Sequence, residues 1–179
     1  QEIGSYFTDD AIGTGVRVVN EDIEGLTLTA LAFDALEGNG ESDGVLYEKT
    51  GSLDTYDVGN LYAAGIAGSF NPVSFQLWYG TLTNLADVLA ADVSAKFDIT
   101  DNFGLGARLN YANSIADKEA KNILGYNDGN FYAGELSTSL FGLDLAAGYI
   151  GWKAQDKGVS AFTFEDQGGL ITAGEDVFD

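Results

Sequence analysis

The sequence predicts an all-β fold, an antiparallel transmembrane β-barrel wall of about nine strands that is part of a larger barrel. Three observations predict it. Apolar residues recur at every second position, short connections alternate with long ones, and aromatic residues gather at the strand ends.

Taken in order, segments 13–20, 25–35 and 58–69 carry the two-residue period weakly. In 25–35 the alternation slips near Ala30-Leu31, where a bulge is expected. Segment 72–80 sets Val73, Phe75, Leu77 and Tyr79 against Ser74, Gln76 and Trp78, with Pro72 at its start, where a missing donor does least harm. The clearest segment is 87–99. There Leu89, Ala91, Val93, Ala95, Phe97 and Ile99 alternate with Ala90, Asp92, Ser94, Lys96 and Asp98. After Thr100-Asp101-Asn102 the pattern restarts in 103–111, with Phe103, Leu105, Ala107, Leu109 and Tyr111 facing away from Gly104, Gly106, Arg108 and Asn110, which reads as a β-hairpin. Segment 131–140 places Tyr132, Leu136 and Leu140 opposite Glu135, Ser137 and Ser139. Segment 142–152 places Leu143, Leu145, Ala147 and Tyr149 opposite Asp144, Ala146 and Gly148, with Phe141-Gly142 as the reversal. A ninth strand is expected at 158–164, although Phe162 and Phe164 lack a partner in the pattern.

Short links at 20–24, 69–72, 100–102 and 141–142 alternate with longer ones at 36–57, 80–86, 113–130 and 153–157. Short turns at one end and long loops at the other are a property of outer-membrane barrels. A soluble or surface-attached acidic β-sandwich also alternates apolar and polar positions, and it is the alternative reading, a binding or structural module. Strand length favours the membrane. Strands of about 10 residues tilted by about 45° reach about 23 Å, close to the apolar band a barrel must cover. The aromatics agree, because Phe97, Phe103 and Phe141 flank short turns while Tyr79, Tyr111, Tyr132 and Tyr149 lie towards the loops. No apolar run is long enough for a membrane-spanning helix.

Composition excludes several functions. The 179 residues carry 8 Lys+Arg against 28 Asp+Glu, a formal charge of -20, which repels nucleic-acid phosphates. There is no Cys and no His, so thiol nucleophiles, imidazole relays and the usual zinc sites are absent. Gly13-Thr-Gly15 and Gly104-Leu-Gly106 lack the third glycine of a dinucleotide fingerprint. Loop 37–44 lacks the oxygen spacing of a calcium hand. Adjacent acids such as Asp9-Asp10 and Glu175-Asp176 point apart and make poor glycosidase pairs. The reading is of a protein that catalyses nothing.

Charged residues that alternate with the lipid-facing set become candidates for a water-facing lining: Arg17, Asp92, Lys96, Asp98, Arg108, Glu135 and Asp144. About nine strands is an odd count, and an unpaired edge in hydrocarbon costs several kcal/mol per exposed group. Residues 1–179 are therefore expected to be a single barrel segment, incomplete at both ends, with long loops at 36–57, 113–130 and 153–179. The absence of any Met and the lack of alternation before Val177-Phe178-Asp179 fit that expectation. A complete eight-stranded barrel is the further alternative.

The chain resembles the major outer membrane porins of Campylobacter and related bacteria. The resemblance is carried, in order and along nearly the whole chain, by YFTDDAIGTGVRVVNEDIEGLTLTALAFDAL at 6–36, DVGNLYAAGIAGSFNP at 57–72 with QLWYG at 76–80, and FEDQGGLITAGEDVF at 164–178. It implies a porin of about 18 strands, homotrimeric and surrounded by outer-membrane lipid, in the outer membrane of a Gram-negative bacterium. It also implies calcium between extracellular loops, and the residues that match are Asp10, Asp43 and Glu165, with Glu175 as a substitute for the last. The expected activity is passive diffusion of small hydrophilic solutes, with a preference for cations because acids outnumber bases. A long loop, 36–57 or 153–179, is expected to fold inward and narrow the pore.

Overall fold

A computed structural model of the chain describes residues 2–3, 11–38, 60–154 and 159–160. Its strands are β1 (Glu2–Ile3), β2 (Ala11–Asn20), β3 (Leu26–Gly38), β4 (Leu61–Phe70), β5 (Val73–Leu82), β6 (Ala86–Thr100) and β7 (Phe103–Ala116). A short helix α1 (Lys118–Ile123) follows, then β8 (Tyr126–Asn127), β9 (Gly129–Leu140), β10 (Leu143–Ala154) and β11 (Val159–Ser160). One antiparallel sheet runs β1-β2-β3-β4-β5-β6-β7-β9-β10, each strand beside its predecessor, as an up-and-down barrel wall requires.

Connections at one end are short, at 21–25, 71–72, 101–102 and 141–142, and at the other end 117–128 is long, but the link expected at 80–86 shrinks to 83–85 because β5 and β6 extend into it. The β9–β10 hairpin turns on two residues, Phe141 at φ 50° and Gly142 at φ 79°. Positive φ at both central positions is the turn geometry that matches strand twist, and Gly142 adopts it without strain. At the opposite end of the same strands, β7 and β9 are joined through α1 and β8.

Of the strand expected at 158–164, residues 158 and 161–164 lie outside the described residues. Among the described residues only Val159–Ser160 are extended there, and they pair in parallel with β8, outside the main sheet. The ninth member of the sheet is instead β1, at the other edge. No bulge lies at Ala30-Leu31 either. The pairing of β2 with β3 shifts between Gly13 and Thr14, and β3 pairs without interruption with β4 from Leu26 to Phe33. The apparent slip has a physical cause: Leu31 and Phe33 face the same side as Thr27 and Thr29, where a local apolar core covers them.

Cross-strand register separates two faces. Nearly all exposed large apolar side chains of the strands lie on one face, including Val16 at 64%, Leu109 at 66% and Leu136 at 70% exposure. Val19, Ile150 and Trp152 are the exceptions among the described strand residues. A soluble protein buries such a face, and a membrane wall turns it to lipid. Tyr62 and Phe70 on β4, and Tyr111 and Phe103 on β7, mark its two borders. Eight residues separate each pair, about 26 Å along the strand or about 19–22 Å across a bilayer at barrel tilt.

Candidate functional site

The opposite, inner face is built from residues that the period-two pattern sends away from the lipid side. Towards the short turns its lines of register partners are polar. Gln76, Asp92 and Asn110 form one line across β5, β6 and β7. Ser94, Arg108 and Glu135 form the next, then Lys96, Gly106 and Ser137, then Asp98, Gly104, Ser139 and Asp144. Arg17 sits inward on β2, paired with Leu31. All seven residues marked as lining candidates thus share this face.

Two of them interact directly. Arg108 Nε donates to Asp92 Oδ2 at 2.9 Å, and Asn110 Nδ2 donates to the same oxygen at 3.2 Å. Asp92 and Asn110 are buried, while Arg108 keeps part of its guanidinium accessible. Two donors on one carboxylate oxygen offset the cost of placing that charge against the wall. Glu135 lies opposite Arg108 in register, yet the ion pair forms on the diagonal to Asp92. Lys96, Asp98, Glu135 and Asp144 make no ion pair among the described residues.

The inner wall is close to neutral. Arg17, Lys96 and Arg108 against Asp92, Asp98, Glu135 and Asp144 leave one negative charge, in a chain of formal charge -20. Among the described residues, further acids lie in the short turns. Glu21, Asp22, Glu24 and Asp101 occupy the short turns, beside the inward Asp98 and Asp144.

Towards the loops the inner face changes character. Trp78 leans over Gly65, where a Cβ would clash with the indole. Further along, Phe33, Leu61, Leu82, Ala86 and Val88 form a buried cluster with Ala120 of α1 and Tyr126 of β8. The segment between β7 and β9 therefore folds onto the inner face. Its sequence explains how: Asp117 caps α1 by accepting from the Glu119 amide at 2.8 Å, and Gly125 at φ 72° leaves the helix. Asp128 then accepts from the Ala116 amide at 2.9 Å and from Lys121 Nζ at 2.9 Å, tying the segment to β7. Burial pushes the Tyr126 phenol above its usual range.

Sequence reasoning missed this inward segment, having pointed to 36–57 or 153–179. Residues 39–59 and 161–179 lie outside the described residues, as do the calcium candidates Asp10, Asp43, Glu165 and Glu175. Among the described residues no group of three potential metal ligands occurs.

Comparison with known proteins agrees with this geometry. OccK8 (OprE) of Pseudomonas aeruginosa superposes with a TM-score of 0.68 at 16% identity, covering 86% of this chain and 46% of that one. A BenF-like porin from Pseudomonas fluorescens Pf-5 gives 0.64 at 19% identity, with 82% and 39% covered. The outer membrane protein opdK from Pseudomonas aeruginosa gives 0.62 at 25% identity, with 81% and 40% covered. This chain thus spans less than half of the length of these structures, and the shared fold is a β-barrel wall. No curated protein sequence matches. The family model described as the Campylobacter major outer membrane protein matches residues 1–179, and the chain belongs to that family, whose place is the Gram-negative outer membrane.

Proposed function

We propose that this chain forms part of the wall of a water-filled channel through which small hydrophilic solutes diffuse passively, with a mild preference for cations. The observation that carries the proposal is the division of the sheet. One face exposes Leu, Val and Phe between two aromatic borders, while the other carries seven charged residues together with Ser, Asn and Gln. Charged side chains on a lipid-enclosed face have a use only where water reaches them.

Because the inner wall is nearly neutral, cation preference has to arise at the ends of the strands. Glu21, Asp22, Glu24, Asp98, Asp101 and Asp144 surround the turn end, with Arg17 and Lys96 as the bases on the adjoining inner face. Acids at a pore mouth raise the local cation concentration, and the effect fades as salt shortens the Debye length. The homotrimer, and the calcium at Asp10, Asp43 and Glu165 that the family resemblance implies, belong to the same proposal. Planar-bilayer recording of the full-length protein under a potassium chloride gradient tests the selectivity. The expected reversal potential has the sign of cation preference and shrinks at high salt, and an anion-selective potential would overturn it.

A further inference from the structure

On the outer face, register aligns Leu89 of β6, Asn113 of β7, Asn130 of β9 and Lys153 of β10. This line lies on the loop side of Tyr111, one step beyond the border of the apolar band. Three of its four members are polar, although the strand residues turnward of them on this face are mostly apolar.

Asn130 Oδ1 accepts from Tyr111 Oη at 3.0 Å and from Asn113 Nδ2 at 2.8 Å. Two donors on the oxygen fix the orientation of the amide. The Asn130 Nδ2 donor has no partner among the described residues, and Lys153, its register neighbour, is exposed and makes no ion pair among them. The Tyr132 ring and hydroxyl lie against Gly151, two residues from Lys153, and Tyr149 packs beside that ring with centroids 6.2 Å apart. Asp87, the acid on this face of β6, is three strands from Lys153, about 14 Å at ordinary strand spacing.

We infer that Lys153, Asn130 and Tyr132 form a site for the phosphate of an anionic lipid headgroup in the outer leaflet. The chemistry is complementary: one exposed cation without an ion pair among the described residues, one fixed amide donor and one phenol hydroxyl meet an acceptor-rich anion. The depth is also right, since tyrosine borders lie at the level of lipid headgroups and the long loops of such barrels are extracellular. The site depends on this face meeting lipid and makes no demand on what the inner face conducts.

Native mass spectrometry of the full-length protein in detergent, titrated with diphosphoryl lipid A, tests it. The wild type should retain the lipid in the presence of millimolar inorganic phosphate. Lys153→Gln should weaken retention about fivefold, the contribution of one cation near a charged headgroup. Tyr132→Phe, which keeps the ring, should weaken it to a smaller extent. Unchanged retention in both variants would overturn the inference. So would full displacement by inorganic phosphate, which would mark a free-anion site, or dissociation of an oligomer by Lys153→Gln with lipid binding intact, which would mark a subunit contact.

Discussion

Leu105→Arg is expected to destabilise the protein in a bilayer by about 2–4 kcal/mol, whereas Ser137→Arg is expected to cost less than about 1 kcal/mol. Leu105 lies on the outer face of β7, between Phe103 and Tyr111. An arginine there has to leave water for hydrocarbon or distort the lipid around it. Ser137 lies on the inner face opposite Gly106, in the polar turnward half and two residues from Glu135, so a new cation gains both water and a counter-charge. Two positions on neighbouring strands and one substitution chemistry are compared, and the difference isolates the face. Denaturant unfolding in lipid vesicles measures it. Equal costs at the two positions would mean that the faces are misassigned.

Asp92→Ala is expected to cost about 3 kcal/mol, within the range for removing one partner of a buried ion pair. The carboxylate is buried and accepts from both Arg108 and Asn110. Arg108→Ala alone should cost less, because Asn110 still donates to Asp92. The Asp92→Ala/Arg108→Ala double variant should cost less than the sum of the two single variants, since each single variant already removes the contact the two side chains share. Unfolding midpoints for the three variants form a double-mutant cycle. Strict additivity would show that the 2.9 Å contact carries no coupling. Asp92→Ala should also move the reversal potential towards anions, since it removes a negative charge from the inner face.

How much of this was readable beforehand depended on the contrast between the two faces. In β6, β7, β9 and β10 the turnward halves alternate Leu, Val and Phe with Asp, Lys, Ser and Gly, so their strands and inward residues were legible. Nearer the loops the inner positions become Ala86, Val88, Ala112 and Ala116, which are apolar because α1 and β8 cover that end of the sheet. Alternation fades where both faces are apolar. For that reason the sequence placed a loop at 113–130 where β7 runs to Ala116 and β9 begins at Gly129, and a link at 80–86 where β5 reaches Leu82. The same cause produced the false slip in β3. Helix α1 is under two turns long and shows no 3.6-residue period, yet its cap signals at Asp117, Glu119 and Gly125 were present and could have located it. The Asp92–Arg108 pair was within reach as well, because counting back from the 100–102 turn sets Arg108 opposite Ser94 and diagonal to Asp92. The outward line of Asn113, Asn130 and Lys153 needed register across four strands, which no local pattern supplies.

The chain contains no Cys, so single cysteines can report which face meets water without a background. The decisive measurement is single-channel current from Ser137→Cys and Leu109→Cys variants of the full-length protein, before and after adding a bulky, membrane-impermeant thiol reagent. A wall with a water-filled inner side predicts a stepwise loss of current for Ser137→Cys and none for Leu109→Cys. Absence of any channel current, or an equal response at both positions, would contradict it.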